Sequence, residues 1–385
     1  MGIDYFGKQV ALDNDLYKFT MQQVVYHRFK DIPIEYTFKL RNYRKNTLNK
    51  FFDDVYIETK KMNETQFNND DIEFLEKTGL FKKDYLDELR NFRFKDKVNL
   101  WMDFPNNNFN LTIRGSWFDT ILYEVPVLAI VSEAFFDVQK PWLKEATNRL
   151  ERKIKAIKKT NLKFMEFGTR RRSSFAFQKR VLMRMSEELP DNLVGTSNVY
   201  LARVNGLKPM GTMAHEFIQA MQGIVHPVDS QKHAFRVWQD EYRGKLGIAL
   251  SDTLGMEKFF KDFDLYFAKL YDGARQDSGD PFVWGERLIK YYEHFGINPK
   301  TKTAIFSDGV NLDLAMKLQK RFGDRINVIF GIGTWLTNDC GIDPLNIVIK
   351  MTECNGRPVA KISDSPGKMM CKDDTYVKYL TEAIK

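Results

Sequence analysis

Cysteine, long apolar runs, and segments rich in glycine and proline are all scarce in this chain of 385 residues. The three cysteines, Cys340, Cys354 and Cys371, fit neither a disulfide framework nor a zinc site, so reduced thiols in a cytoplasmic protein are expected. No apolar run approaches the ~18 residues that cross a membrane, and the first residues lack the pattern of a secretion signal. With 23 glycines and 12 prolines, collagen-like and disordered classes are excluded, and the length predicts about two or three globular domains.

The excess of positive charge comes from one segment. The net charge is +8, yet residues 140–184 hold 15 Lys and Arg against 3 Asp and Glu, which leaves the rest of the chain net negative. Such a block forms a nucleic-acid surface, a solvated helix face or the wall of a phosphate-binding cleft. Nucleic-acid binding is the remote alternative, because no aromatic stacking platform is interleaved with the basic residues. The run Arg170, Arg171 and Arg172 follows a predicted strand and favours an anion-binding wall.

Repeated βα units are predicted between about residues 160 and 340. Each combines a short apolar run, a loop rich in Gly, Ser, Thr and Asp, and a segment of helical periodicity. Examples are strands at 246–250, 303–306 and 326–330 and a helix at 311–322. Near-continuous apolar strands indicate a parallel sheet buried on both faces. An open sheet and a closed (β/α) barrel both fit. We favour the barrel, because the polar residues are spread over seven loops and not concentrated at one switch point.

The two ends of the chain have a different pattern. Apolar residues alternate at 34–40 and 109–113, which predicts half-buried antiparallel strands. Near the other end, the dipeptide Asn355-Gly356 joins two further β-type runs and predicts a hairpin. We therefore expect a β-rich α+β domain made of residues 1–130 and completed by 345–385, beside a barrel domain of residues 131–344.

Several loops carry residues suited to chemistry. The run Gly-Ile-Gly-Thr at 331–334 could let backbone N–H groups approach a phosphate, although a tight turn would explain the same glycines. Asp252 and Asp308 each close an apolar strand, where a carboxylate can serve a sugar hydroxyl or Mg²⁺. Asp277 lies in a loop where turn formation is the alternative explanation. His215 follows a strand-like run at 209–212 and lies at a predicted helix start, where a structural role is equally open.

Taken together, these loops resemble the nicotinate phosphoribosyltransferase family. The similar motifs follow one another in chain order at 12–18 (LDNDLYK), 166–172 (EFGTRRR), 195–198 (GTSN), 211–216 (GTMAHE), 277–281 (DSGDP), 330–334 (FGIGT) and 363–368 (SDSPGK). The resemblance covers almost the whole chain. It implies an α/β fold with an irregular barrel of the type II phosphoribosyltransferase kind, flanked by a domain built from both chain ends.

The resemblance also implies an activity. It is that of an ATP-dependent enzyme of the ligase class, acting in NAD biosynthesis on nicotinate and phosphoribosyl pyrophosphate and releasing nicotinate mononucleotide and pyrophosphate. ATP would be hydrolysed to ADP and phosphate, and Mg²⁺ would be the cofactor. The implied state is a cytoplasmic homodimer with shared active sites and no membrane or nucleic-acid partner. Nicotinamide or quinolinate phosphoribosyltransferase is the nearest alternative.

Roles for individual residues follow from matching positions in the resemblance. His215 would be phosphorylated transiently by ATP, since imidazole is a good nucleophile near neutral pH. Asp252 and Asp277 would act in catalysis and are candidate Mg²⁺ ligands. Tyr17, reaching in from a neighbouring subunit, and Phe167 would enclose the pyridine ring. The other implied substrate contacts are Arg170, Ser197, Arg275, Asp308, Gly331, Gly333 and Thr334.

Ser197 is expected to select the substrate. In the similar nicotinamide-using enzymes an aspartate occupies this position, and a carboxylate there would repel nicotinate. A serine hydroxyl can instead donate a hydrogen bond to the nicotinate carboxylate. The alternative is that Ser197 only caps the following helix.

Overall fold

Two β-sheets organise the chain, of which the computed structural model describes residues 10–103, 106–139, 142–365 and 368–385. The strands are β1 (Pro33–Leu40), β2 (Val98–Asp103), β3 (Asn108–Ser116), β4 (Phe164–Glu166), β5 (Leu193–Thr196), β6 (Ile248–Leu250), β7 (Gly273–Gln276), β8 (Thr303–Phe306), β9 (Asn327–Ile332), β10 (Ile347–Cys354) and β11 (Arg357–Pro358).

Helices surround both sheets. The α-helices are α1 (Leu16–Arg28), α2 (Phe52–Lys61), α3 (Asn69–Lys77), α4 (Lys83–Asn91), α5 (Trp117–Thr120), α6 (Glu124–Asp137), α7 (Leu143–Ile157), α8 (Phe175–Glu188), α9 (Val199–Val204), α10 (His215–Ile224), α11 (Ser230–Tyr242), α12 (Met256–Asp262), α13 (Leu265–Leu270), α14 (Pro281–His294), α15 (Leu312–Phe322), α16 (Thr334–Thr337) and α17 (Asp374–Ala383). Short 3₁₀ helices lie at Val10–Leu12, Lys45–Phe51, Met62–Glu64, Ile121–Tyr123, Thr169–Arg171, Pro227–Asp229 and Pro299–Thr301.

The antiparallel sheet contains strands from both ends of the chain, in the order β11-β10-β1-β3-β2. Strand β1 pairs with β10 from Ile34 opposite Cys354 to Leu40 opposite Ile347. The predicted hairpin is present between β10 and β11. Both residues of its turn have positive φ angles, 54° at Asn355 and 72° at the following glycine. This conformation matches the twist of the strands and explains the Asn-Gly sequence.

The second sheet is parallel throughout, in the order β5-β4-β9-β8-β7-β6. The strands predicted at 303–306 and 326–330 are present as β8 and β9, and the predicted helix at 311–322 is present as α15. Asn311 caps this helix, because its side chain accepts a hydrogen bond from the Leu314 N–H.

A non-strand segment at 208–212 lies between the two edge strands of the parallel sheet. The Met210 N–H donates to the carbonyl of Thr196 in β5 at 2.8 Å, and a threonine hydroxyl of the segment donates to the carbonyl of Ile248 in β6 at 3.1 Å. The strand-like interpretation of 209–212 is wrong, since the segment makes only an isolated bridge and Pro209 has no N–H for a ladder. The segment nevertheless bridges the two edges and gives the irregular barrel that was expected.

One apolar core spans both sheets. Helices α6 and α10, buried along nearly their whole length, pack against β10 of the antiparallel sheet. Their first residues, Glu124 and His215, reach the edge of the barrel. The domain boundary predicted between residues 130 and 131 falls inside α6. In the described part of the chain, no helix combines the length and the apolar character needed to span a bilayer.

Candidate active site

A cavity of about 970 Å³ is lined by the loops that follow β4, β5, β7, β8 and β9 and, on another side, by β10 of the antiparallel sheet. Carboxyl ends of parallel strands meet at one edge, which brings loops distant in sequence together. The predicted site residues that line this cavity are Tyr17, Phe167, Arg170, Ser197, His215, Arg275, Asp277, Asp308, Gly331, Gly333 and Thr334. Asp252 is not among them and lies behind His215.

His215 is the first residue of α10, and only 4% of it is exposed. Its Nε2 lies 2.8 Å from Oδ1 of Asp252 and 3.6 Å from Oδ2 of Asp277. Burial lowers the pKa of His215 to about 4, against the opposing effect of Asp252, so the ring is neutral at pH 7. An ionised carboxylate only accepts hydrogen bonds, so Nε2 carries the ring proton and Nδ1 keeps a free electron pair.

Asp252 is fully paired within the protein. Its Oδ1 faces His215, while Oδ2 accepts from the Ser278 hydroxyl at 2.6 Å and lies 2.9 Å from the Lys361 ammonium. Burial opposes ionisation, but the interactions with His215 and Lys361 hold the pKa of Asp252 well below its usual range. The expectation that Asp252 itself contacts substrate is therefore wrong for this geometry: the carboxylate orients the His215 ring.

Asp277 is the carboxylate of this cluster that faces the cavity. Its Oδ1 accepts from the Ser307 hydroxyl at 3.0 Å, and its side chain is 30% exposed. Within the described residues, His215, Asp252 and Asp277 form the single group whose ligand atoms lie close enough, within 4.8 Å of one another, to hold a metal ion. Because Lys361 already neutralises Asp252, the Asp277 carboxylate is the oxygen donor of the group that best fits Mg²⁺.

Asp308 also lies at the cavity, where it forms an ion pair with Lys368. Lys368 belongs to the predicted motif at 363–368, of which Pro366 and Gly367 lie outside the described residues. This ion pair holds the Lys368 side chain in place. It also leaves the Asp308 carboxylate less free to accept a hydrogen bond from a sugar hydroxyl than an unpaired carboxylate would be.

Tyr17 lies in the cavity of its own chain. It belongs to α1, and the N–H of the preceding Leu16 donates to the carbonyl of Ser197 at 2.8 Å, which fixes the start of that helix beside the barrel. The Tyr17 hydroxyl is buried and has no hydrogen-bond partner among the described residues. The structure thus places Tyr17 at the cavity of its own chain, in contrast to the prediction that it reaches in from a neighbouring subunit.

The Ser197 hydroxyl is already engaged. It donates to Oδ1 of Asp15 at 2.7 Å, and a hydroxyl has only one proton to donate. In this arrangement the hydroxyl is not free to donate to a nicotinate carboxylate as expected while Asp15 is ionised. Burial raises the pKa of Asp15, although the Arg170 guanidinium opposes this. The helix-cap explanation is wrong as well, since the side chain of Asn198 caps α9.

The segment 331–334 spans the end of β9, Gly333 and the first residue of α16, and it packs tightly against Phe167. A Cβ atom on Gly331 would lie 2.7 Å from two atoms of the Phe167 ring, and one on Gly333 would lie 3.2 Å from the Phe167 carbonyl oxygen. Both glycines line the cavity, and the absence of a Cβ atom allows their backbone to pack closely against Phe167.

Gly331→Ala is expected to raise the KM for nicotinate about 10-fold, or about 1.4 kcal/mol, because the added methyl group displaces the Phe167 ring. Steady-state kinetics with each substrate varied in turn would measure this effect. Gly333→Ala is the matched control, since its methyl group meets the backbone and not the ring. An unchanged KM for nicotinate in folded Gly331→Ala would contradict the contact as the cause.

The basic segment has two separate roles. Arg170 and Arg171 line the cavity, as expected of an anion-binding wall. Arg172 does not, because it is fully buried between Asp13, at 2.6 and 2.8 Å, and Glu133, at 2.7 Å. Much of the remaining charge lies on α7 and α8, where acidic side chains pair with several of the basic ones.

Among the charged cavity residues that the sequence analysis missed are Arg41, Glu124, Lys350 and Lys361. Each is remote in sequence from the loops that follow the barrel strands. One signal was available for Lys350, which is a charged residue within the otherwise apolar run 347–351 of β10.

A parallel sheet whose carboxyl edge holds a buried histidine, two aspartates and several cationic side chains around a cavity defines an α/β enzyme that acts on an anionic small molecule. Comparison with known families agrees with this class. Residues 12–132 match the N-terminal domain of nicotinate phosphoribosyltransferases, and residues 162–385 match the nicotinate phosphoribosyltransferase family. The chain belongs to the nicotinate phosphoribosyltransferase family.

Named relatives match over nearly the whole chain. A nicotinate phosphoribosyltransferase from Acidovorax sp. is 46% identical over 388 residues, with 97% of each chain covered. One from Burkholderia mallei is 45% identical over 382 residues, with 97% of this chain and 96% of the relative covered.

Solved structures give the same result. The crystal structure of nicotinate phosphoribosyltransferase from Vibrio cholerae has a TM-score of 0.93 and 37% identity, covering 100% of this chain and 95% of that one. The structure from Porphyromonas gingivalis has a TM-score of 0.92 and 32% identity, covering 97% and 99%. The fold class predicted from the sequence is confirmed.

Proposed function

We propose that this chain transfers the ribosyl 5-phosphate of phosphoribosyl pyrophosphate to nicotinate, and so forms nicotinate mononucleotide for NAD biosynthesis. The observation that carries the proposal is one cavity that is lined by all but one of the predicted site residues. The chain that forms it matches the family over nearly its whole length.

In this reaction the pyridine nitrogen of nicotinate bonds to C1 of the ribose, while the bond between C1 and the pyrophosphate oxygen breaks. Positive charge develops on the ribose and negative charge on the leaving group, so fixed charges around the cavity favour the transition state. Arg170 is the cation beside Tyr17 and Asp15, and we assign it to the nicotinate carboxylate. Phe167 and Tyr17 supply aromatic surface for the pyridine ring.

His215 would couple ATP to this transfer. Its Nδ1 attacks the γ-phosphorus of ATP, the bond between that phosphorus and the bridging oxygen breaks, and ADP leaves. The phosphorylated ring carries positive charge, which the Asp252 carboxylate at 2.8 Å stabilises. Water later releases phosphate and regenerates the histidine. The neutral, oriented imidazole supports this role.

Mg²⁺ is the cofactor that we propose, with Asp277 as its protein ligand. Bound Mg²⁺ would neutralise charge on the phosphate groups of both substrates. Asp277 fits because its carboxylate faces the cavity. Among the described residues, the one ion-pair partner of this carboxylate is the His215 ring, whose Nε2 lies 3.6 Å away.

The direct test is a product assay with nicotinate and phosphoribosyl pyrophosphate, with and without ATP. Nicotinate mononucleotide should form only with both substrates, and faster with ATP. Parallel reactions with nicotinamide and quinolinate test the nearest alternatives. Preferential use of either would overturn the assignment.

A homodimer stays a prediction that rests on the resemblance alone, and we expect no sharing of sites through Tyr17. Because Tyr17 and His215 line the same chain's cavity, mixing inactive Tyr17→Ala with inactive His215→Ala should restore no activity. Activity is measured after subunit exchange has been verified, with a mixture of wild type and His215→Ala as the control. Recovery in the doubly defective mixture would show that the site is shared.

A further inference from the structure

Lys350 is a cavity residue for which the reaction as described has no use. It lies on β10, half-buried, among residues that are otherwise mostly apolar. Its side chain lines the cavity, and no hydrogen bond or ion pair holds it within the described part of the chain. Burial lowers the pKa of Lys350 to about 8, against the opposing effect of Glu124, so the side chain is mostly cationic at pH 7.

The neighbouring charges do not neutralise Lys350. Glu124 is the largest source of attraction, but it is already paired with the fully buried Lys18 at 2.5 Å and approaches Arg170 at 3.5 Å. Arg170 and Lys361 repel Lys350, whereas Asp277 attracts it weakly. An ammonium group that loses water without gaining a partner destabilises the fold. Such a cost is commonly found at functional sites.

The position of Lys350 indicates which ligand it takes. Its charged neighbours are Arg170, assigned to nicotinate, and Asp277 and Lys361 beside His215. Lys350 therefore lines the same cavity as the residues assigned to the pyridine and to the phosphorylated histidine. In the proposed reaction, the bond that is exchanged, between the ribose and pyrophosphate, would lie between those two groups.

We propose that Lys350 is a further substrate-binding residue, which binds the pyrophosphate group of phosphoribosyl pyrophosphate and stabilises it as it leaves. This inference rests on the proposed function. A phosphate of ATP offers the same chemistry, and the two sources are separated by measuring both ligands.

The test is calorimetric binding of inorganic pyrophosphate and, separately, of ATP, to wild type and Lys350→Met in a buffer with Mg²⁺. Affinity for pyrophosphate should fall at least ~10-fold, with nicotinate affinity changed less than about 2-fold. Lys350→Arg, which keeps the charge, should retain most of the binding. Lys39→Met is the control, because Lys39 is an exposed lysine of the adjacent strand β1. A loss confined to ATP would overturn the assignment to pyrophosphate.

Thermal melting without ligand separates binding from a structural role. Removing an unpaired buried charge should leave the melting temperature of Lys350→Met unchanged or higher, whereas a fall of several degrees in both Lys350→Met and Lys350→Gln would overturn the inference. Equal pyrophosphate affinity in wild type and Lys350→Met, or no binding by wild type, would also overturn it. If wild type forms no nicotinate mononucleotide, the proposed function itself fails, so the two failures are distinguishable.

Discussion

His215→Asn should abolish the labelling of the protein by γ-labelled ATP and lower the ATP-dependent rate at least about 100-fold. The phosphoryl group would sit on nitrogen, so the wild-type label should be labile to acid and stable to base. The asparagine variant keeps the cavity and should retain slow synthesis of nicotinate mononucleotide without ATP. The expected loss of rate is large because the variant lacks the imidazole nitrogen that attacks ATP, on the ring that Asp252 orients.

Two variants sharpen this experiment. Asp252→Asn should slow labelling without moving the site of the label, because an amide no longer fixes the proton on Nε2 of His215. His226→Asn is the matched control, since His226 is an exposed histidine outside the cavity. Normal labelling of His215→Asn would show that the phosphoryl group is carried elsewhere.

The second large effect concerns the choice of pyridine. The wild type should prefer nicotinate over nicotinamide by at least ~100-fold in kcat/KM, and Ser197→Asp should remove that preference mainly by losing nicotinate. The present hydroxyl lies 2.7 Å from Asp15, so the variant places two carboxylates side by side near Arg170. Like charges in a desolvated pocket cost several kcal/mol, and the nicotinate carboxylate would add a third.

Ser197→Asn controls for size, because the amide is as large as the carboxylate but uncharged. Competition assays with both pyridines give the ratio directly. If the asparagine variant loses nicotinate as fully as the aspartate variant, the cause is the larger side chain or the lost hydroxyl bond to Asp15 and not the charge. Equal use of both pyridines by the wild type would contradict the assignment to nicotinate and favour nicotinamide phosphoribosyltransferase as the activity.

Local signals in the sequence predicted those elements whose conformation depends on neighbouring residues. Strands β8 and β9 and helix α15 follow from apolar periodicity and from Asn311 at the helix start. The hairpin follows from a dipeptide that tolerates positive φ angles. Site residues at the ends of barrel strands could likewise be found, because the fold places every such loop at one edge.

Long-range contacts could not be predicted in this way. The Ser197 hydroxyl donates to Asp15, which lies 182 positions away in the sequence. The same hydroxyl was expected to donate to nicotinate. Lys361 forms an ion pair with Asp252, although it lies in a segment without the periodicity of the barrel units. Because of this pairing, Asp252 orients His215 and is not free to bind substrate. The packing of α1 decides whether Tyr17 enters the cavity of its own chain or that of a neighbouring subunit. The motif around Tyr17 contains no information on how α1 packs.

The pairing of β1 with β10 has a consequence for the order in which the protein is made. Leu40 lies opposite Ile347, so at 5–20 residues per second the ribosome needs roughly 15–60 s to supply the partner of β1. During that interval β1 has β3 on one side and an open edge on the other, a surface that nascent-chain chaperones would be expected to cover. Lys350 arrives on the same strand that closes the edge. A growing chain therefore cannot have a complete cavity before its antiparallel sheet is complete, which ties the formation of the site to the end of folding.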